Sequence, residues 1–389
     1  MNFNMFVPTK TLFGKGRLNE LHQQALPGKK ALLIISNGKS TKVNGYLARV
    51  EEQLKKAKIE YVIFDQIEAN PLKTTVMRGS AFARENQCDF VVALGGGSVM
   101  DASKAIALVA TNEGDLWDYV TSGSGKKQPV KVEPLPIVAI TTTAGTGSET
   151  DPGGVITNSD TYEKVGISFP SLFPKLAIVD PELMVSVPPL FTAYQGFDAL
   201  FHSTEGYINK KANLMGDMIS ATAIENVGAY LAKSVKDGND LEAREKVAFA
   251  NYLSGISMCV SGCTSEHSLE HAMSAYHQEL PHGAGLIMIS KAYYTHFIKH
   301  HVCDERFIEM AKMLGHNDAK DPMDFIHALD QLQKDCGVNQ LKMSDYGIKD
   351  SDFETLAKNA MDTMGGLFNN DRIALSIEDC IEIYKNSYR

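Results

Sequence analysis

The sequence lacks the features that mark several broad classes of protein. No uninterrupted apolar stretch approaches the roughly 20 residues a helix needs to cross a bilayer, so no membrane span is expected. The opening residues, MNFNMFVPTKTLFGKG, carry no basic run ahead of an apolar core, and nothing there reads as a signal peptide. Basic charge is in deficit: 38 Lys and Arg against 47 Asp and Glu leave a net charge of −9. A nucleic-acid surface needs clustered cations, so that class of partner is excluded, although a local pocket for one phosphate group is compatible with the balance. The six cysteines (Cys88, Cys259, Cys263, Cys303, Cys336, Cys380) are scattered through a chain too large to need covalent staples. Free thiols in a reducing cytoplasm are expected. Cys259 and Cys263 stand one helical turn apart, but no second pair completes a sulfur site. Internal repeats and low-complexity tracts are also missing.

What is present suits two hydrophobic cores, since 389 residues are long for one. The first half alternates short β-branched runs with helical segments. The strand candidates are Ala31–Ser36, Tyr61–Phe64, Phe90–Leu94, Ile137–Thr141 and Leu176–Val179, with an amphipathic stretch over 45–58 between the first two. This alternation predicts an α/β domain over residues 1–187: a parallel sheet covered by helices, with ligands at the carboxyl ends of its strands. Beyond the paired prolines Pro188 and Pro189 the pattern turns helical. Runs at 198–208, 217–233, 241–259, 268–276, 286–300, 304–314, 322–336 and 352–361 predict an all-α domain over residues 188–389. The Gly/Ser/Lys segment 121–127 reads as an exposed turn.

Two glycine-rich loops follow strands. Gly95-Gly96-Gly97-Ser98 succeeds the run FVVAL and opens a helix near Met100 or Asp101. Missing Cβ atoms let a pyrophosphate approach the backbone, and free N–H groups at a helix start favour its charge. Met100 stands where the full dinucleotide fingerprint has its third glycine, so this loop alone fits a plain tight turn as well. The second loop, Thr142-Thr143-Ala144-Gly145-Thr146-Gly147-Ser148, follows IVAIT and is rich in hydroxyls. Side by side above one sheet edge, the two would grip both ends of a dinucleotide. The first strand runs into Asn37-Gly38-Lys39-Ser40, which has no carboxylate to hold a ribose hydroxyl but has a lysine and a serine to meet a 2′-phosphate. NADP(H) is therefore expected over NAD(H).

A third constellation is rich in histidine. Asp198 and His202 stand four apart in FDALFHSTEGY, which places both on one helix face at the spacing that two ligands of one ion require. His267 and His271 form a second such pair in SEHSLEHAMSAYH, and His282 follows in a turn. Neutral imidazoles with one carboxylate suit a borderline divalent ion, iron, zinc or nickel. Without sulfur, such a set describes a catalytic site with room for a substrate oxygen.

Taken together, the motifs resemble the iron-containing alcohol dehydrogenase family over essentially the whole chain. FGKG (Phe13–Gly16), Asn70-Pro71, GGGSVMDASK (Gly95–Lys104), TTAGTGSE (Thr142–Glu149), AIVDPEL (Ala177–Leu183), GFDALFHSTEGY (Gly196–Tyr207) and NNDR (Asn369–Arg372) occur in the family's order. The resemblance implies a Rossmann-like N-terminal domain, a helical C-terminal domain and an active site in the cleft between them. It also implies hydride transfer between a nicotinamide and a small primary alcohol or aldehyde, and assembly at least as a dimer. It places the metal ligands at Asp198, His202, His267 and His282, with His271 as a neighbouring non-ligand. Asn70, the Gly95–Ser98 loop, Asp101, Thr142, Thr143, Thr146, Val155 and Lys164 fall on cofactor-contacting positions. Asn37 stands where NAD-preferring members carry an aspartate.

The chain departs from the pattern at Thr141, Gln195 and Asp371, and in a His271–His282 segment one residue longer that contains His277. Either His271 or His277 would relay the proton. A related sugar-phosphate cyclase, similar to dehydroquinate synthase, would need extra Lys and Arg around the metal, and none cluster near His267–His282. A metallohydrolase would have no use for two nucleotide loops. Trp117, Phe197 and Tyr276 read as packing before substrate contact, and the particular alcohol is not legible.

Overall fold

The computed structural model describes residues 2–389. The chain divides into two compact units. One spans Val7–Thr143 and Gly147–Ser186; the other holds Val187–Arg389 together with Ala144–Thr146 and the segment up to Phe6. Those short additions to the helical unit have no compositional mark, which is why a single boundary at residue 187 passes over them.

In the first unit, six of the described strands form one parallel sheet: β1 (Lys10–Phe13), β2 (Lys30–Ser36), β3 (Glu60–Ile67), β4 (Phe90–Gly95), β5 (Ile137–Thr141) and β8 (Leu176–Val179), in the order β1-β8-β5-β4-β2-β3. Continuous apolar runs make the central strands. Every residue of β4, β5 and β8 is buried, as a parallel sheet covered on both faces requires. Leu33, Val92, Val138 and Ile178 belong to one core cluster across it. Five helices accompany the strands: α1 (Ser40–Val43), α2 (Tyr46–Lys56), α3 (Lys73–Glu85), α4 (Gly97–Thr111) and α5 (Leu116–Tyr119). From β2 the chain runs outward to β3, then returns to place β4 on the other flank of β2. That reversal opens a crevice at the carboxyl ends of β2 and β4, the place where such sheets bind ligands.

Three strands lie outside the sequence expectation. β1 has only Leu12 buried and no apolar run to announce it. β6 (Gly153–Asn158) and β7 (Glu163–Ser168) pair with each other as an antiparallel ribbon, and their mixed polar sequences hide them.

Asp101 and Lys104, one turn apart on α4, tie this helix to the segment that enters β6. The Lys104 ammonium donates to Ser148 Oγ at 2.7 Å and Asp151 Oδ1 at 3.2 Å, and also to the Gly153 carbonyl. Asp101 accepts from Ser148 Oγ at 2.7 Å and from the Val155 N–H at 2.9 Å.

The second unit carries the helices α6 (Pro189–Ile208), α7 (Leu214–Lys236), α8 (Leu241–Val260), α9 (Ser265–Tyr276), α10 (His282–Lys299), α11 (Asp304–Met313), α12 (Asp324–Asp335), α13 (Phe353–Phe368) and α14 (Ile377–Ser387). α6 starts nine residues before the expected Asp198 because Pro189 at its first position is preorganised for a helix start. α14, unexpected from periodicity, has a capping box between Ser376 and Asp379. No helix of the described residues is long and apolar enough to cross a membrane.

One buried carboxyl in the first unit generates a pH effect. Burial pushes Glu149 up to about 7 from its ordinary 4.5, with its own backbone hydrogen bond opposing and the charge of Asp151 adding. The folded chain thus keeps a proton that the unfolded chain has released, so stability falls as pH rises from 4.5 to about 7. Glu149→Gln is expected to be the more stable protein at pH 8, by up to about 3 kcal/mol. The difference should vanish below pH 4.5, and urea unfolding at the two pH values measures it.

Candidate active site

The histidine-rich constellation assembles within the helical unit. α6 presents Asp198, His202 and Glu205 at i, i+4 and i+7, one stripe of the helix. α9 supplies His267, Glu270 and His271, and His282 is the first residue of α10. Three imidazole nitrogens converge on one carboxylate oxygen: His202 Nδ1, His267 Nε2 and His282 Nε2 each lie 3.5 Å from Asp198 Oδ1. The His202 and His267 rings stack with centroids 4.3 Å apart.

This separation is long for a hydrogen bond and right for co-ligands. Two atoms each about 2.1 Å from one ion, at a tetrahedral angle, stand about 3.4 Å apart. Asp198 Oδ1, His202 Nδ1 and His267 Nε2 are buried without a hydrogen-bond partner, a costly state that a shared cation would relieve. The residues therefore fit a divalent ion.

The remaining ring nitrogens are also accounted for. His267 Nδ1 meets the Glu205 carboxylate, His282 Nδ1 meets Glu270, and His202 bonds the backbone of Gly145. Ligand histidines usually hold their second nitrogen this way, which fixes tautomer and ring orientation. Glu205 also accepts from Thr264 Oγ1 at 3.0 Å and from the Thr264 and His267 N–H groups, so it anchors the start of α9.

The electrostatics follow from burial set against neighbouring charge. Burial would raise Asp198, but the surrounding imidazoles of His202, His282 and His267 hold it well below its ordinary range. Burial lowers His202 to about 3, leaving a neutral imidazole. Burial pulls His267 down as well, yet Glu205 and Asp198 win and push it up to about 10. Glu266, fully buried and bonded by the Tyr294 hydroxyl, is driven well above its ordinary value by burial and by Glu205.

The two candidate proton relays separate. His271 is buried, its ring 5.3 Å from that of His282 and 6.2 Å from that of His267. His277 is the C-cap of α9 and sits beside Gly347. Cys263 offers a sulfur within 4.8 Å of nitrogens on His202 and His267, a proximity that pairing it with Cys259 does not suggest. Trp117 donates its indole N–H to Glu163 and Phe197 is wholly buried, so both pack; Tyr276 is exposed.

In the sheet unit, the two glycine-rich loops leave adjacent strands. The Thr142 N–H donates to the Gly95 carbonyl at 2.9 Å, and a Cβ on Gly96 would stand 2.7 Å from Thr143 Cγ2. α4 starts at Gly97, so Gly97 and Ser98 lie in its first turn, earlier than the expected Met100. Asn37, Gly38, Lys39 and Ser40 are exposed just past β2, and Asn37 donates its N–H to Ile67. On the ribbon, Val155 pairs with Gly166 and Thr157 with Lys164, so Val155 and Lys164 share one face. Asn70 adopts φ +51° just before Pro71, whose carbonyl accepts from the Thr157 N–H. Both oxygens of Asp101 are engaged inside the protein, and Thr146 groups with the helical unit.

Comparison with known proteins meets this geometry. Residues 8–181 match the family described as iron-containing alcohol dehydrogenase, and residues 192–388 match its C-terminal part. The chain belongs to the iron-containing alcohol dehydrogenase family. It is 34% identical to the NAD-dependent methanol dehydrogenase of Bacillus methanolicus, with 99% of each chain covered. It is 35% identical to the 1,3-propanediol dehydrogenase of Klebsiella pneumoniae, with 96% of each covered. Among solved structures, an archaeal halo-thermophilic alcohol dehydrogenase from a Red Sea brine pool superposes with a TM-score of 0.95 at 33% identity, covering 100% of this chain and 99% of that one. The dehydrogenase is thus an oxidoreductase that uses iron and a nicotinamide on small molecules, and the cyclase reading is not favoured.

Sequence reasoning missed Glu205, Glu270 and Gly283. The carboxylates stand three residues after His202 and His267, a signal visible to anyone asking where each ligand's second nitrogen goes. Gly283 lets the first turn of α10 touch the α6 backbone: a Cβ there would lie 2.2 Å from the Tyr194 carbonyl oxygen. Gly283→Ala is expected to cost roughly 1–3 kcal/mol by overpacking and to displace His282. Urea melting and metal content by atomic absorption measure the two effects.

Proposed function

We propose that Asp198, His202, His267 and His282 hold one ferrous ion, and that the enzyme interconverts small primary alcohols and aldehydes with NADP(H). The observation that carries the reading is the convergence of three imidazole nitrogens, each 3.5 Å from Asp198 Oδ1. Three nitrogens and one oxygen make a borderline donor set, which zinc or nickel would also accept. When bound, the ion would favour loss of the alcohol's proton and the nicotinamide would take up the hydride.

The chain's own groups do the rest. Glu205, Glu270 and the Gly145 backbone keep the ligand rings aimed. The buried imidazole of His271, close to His282, receives and passes on the alcohol's proton at a ring nitrogen. His277, at the partly exposed C-cap, is the less suited of the two relays. Gly95–Ser98, Thr142, Thr143, Thr146, Val155, Lys164, Asn70 and Asp101 surround the nucleotide in this reading.

The preference for NADP(H) rests on Asn37–Ser40, which offers Lys39 and no carboxylate at an exposed strand end. A relative named above is NAD-dependent, so this part of the proposal sets the chain apart from it. Assembly at least as a dimer and residence in the cytoplasm complete the reading, and sedimentation tests the first.

His267→Ala is expected to lose the metal and at least about 1000-fold in kcat/KM, more than 4 kcal/mol of transition-state stabilisation, with unchanged far-UV circular dichroism. Full turnover by that variant, or by metal-free protein, would sink the proposal. Consumption of NADPH with butanal, followed at 340 nm, gives the rate. Lys39→Ala should raise KM for NADPH about tenfold and leave that for NADH unchanged, because one charged hydrogen bond to the 2′-phosphate is lost.

A further inference from the structure

Glu270 has no part in the ligand set, yet the structure gives it a place of its own. It is completely buried on α9, and its carboxylate reaches across to His282 Nδ1 at the start of α10. The opposite nitrogen of the same ring, Nε2, is the one 3.5 Å from Asp198 Oδ1. The imidazole is thus held at both ends, between a carboxylate behind it and the ligand cluster in front.

Room for this contact is built into α10. A Cβ on Gly285 would stand 2.7 Å from Glu270 Cγ and 2.9 Å from its Oε1. Glycine at 285 therefore keeps open the channel through which the Glu270 side chain passes. Glu205 plays a comparable part toward His267, but it is also fixed by Thr264 and the start of α9. His282 needs such support more than the other ligands do. It follows the turn over 277–280 on the first residue of its helix, and its side chain is 22% exposed while those of His202 and His267 are 7% and 5% exposed.

We propose that Glu270 is the positioning residue of the metal centre: it fixes the Nδ1–H tautomer and ring angle of His282 so that Nε2 is presented to the ion. The inference rests on the metal reading above. A carboxylate accepting from the far nitrogen also makes the imidazole a stronger donor, and removing such a partner elsewhere weakens metal binding by 10- to 100-fold.

The test uses full-length apoprotein of wild type, Glu270→Gln, Glu270→Ala and Gly285→Ala, titrated with ferrous iron anaerobically and with cobalt(II), whose visible spectrum reports the donor set. Affinity should fall about tenfold in Glu270→Gln, which keeps an acceptor but loses the charge, and about 100-fold in Glu270→Ala. Gly285→Ala, which leaves the carboxylate intact but displaces it, should fall in between with an altered cobalt band. Thermal unfolding of the apoproteins separates a packing role from a positioning one. Variants that melt lower but bind metal within twofold of wild type overturn the inference, as does unchanged affinity with unchanged melting. Wild-type protein that takes up no divalent ion overturns the metal reading itself, a result distinct from equal binding by all four proteins.

Discussion

The helical unit is organised around one carboxylate oxygen, Asp198 Oδ1, with three imidazole nitrogens equally distant from it. A carboxylate 4% exposed is expensive unless positive charge or donors surround it. Here they come from three separate places: the same helix, the next inward-facing helix and the turn that opens α10. Each source must arrive within a fraction of an ångström, because a ligand set a little too loose stops being one. The supporting contacts answer that demand. Glu205 joins α6 to the start of α9, and Gly283 lets α10 touch the α6 backbone.

Charge balance explains why the supports are carboxylates. Asp198, Glu205 and Glu270 lie around three imidazoles, each within reach of a ring nitrogen. Such a group is stable only with cationic charge in its midst. Without an ion the nearest source is an imidazole, and His267 accordingly rises to about 10 against its burial. In the proposed reading a divalent ion would take over the same electrostatic role and would need the neutral imidazole as its ligand, so its uptake would release a proton. Glu266 lies beside this group, and its burial and the Glu205 charge raise it well above its ordinary value against the Tyr294 hydroxyl that donates to it.

The legible parts of the sequence were those with a period. Unbroken apolar runs announced β2, β4, β5 and β8, and the i, i+4 spacing of Asp198 and His202 announced two side chains on one helix face. The ribbon β6–β7 has no such period, since each strand mixes glycine, threonine and charge. His267 and His271 looked alike on spacing, and in the sequence only the family resemblance separated them; in the fold His267 turns Nε2 toward Asp198, while His271 stands beside His282. Glu205 and Glu270 were hidden for a different reason. Glutamate on a helix is ordinarily a solvated residue, and its burial depends on a partner 62 or 12 residues away. Long-range partners of that kind leave no local trace.

The two units solve different problems with different backbones, and the residue types reflect it. The sheet unit places glycine and threonine at strand ends, where Gly96 yields its space to Thr143. Holding an ion needs side chains of fixed length aimed from several directions, which helices supply through rigid stripes. Glycine recurs there as well, and for a like purpose. At Gly283 and Gly285 its missing Cβ admits a neighbouring backbone or a buried carboxylate, not a ligand. The same absence of an atom thus lets two loops meet in one unit and, in the other, admits the packing behind His282.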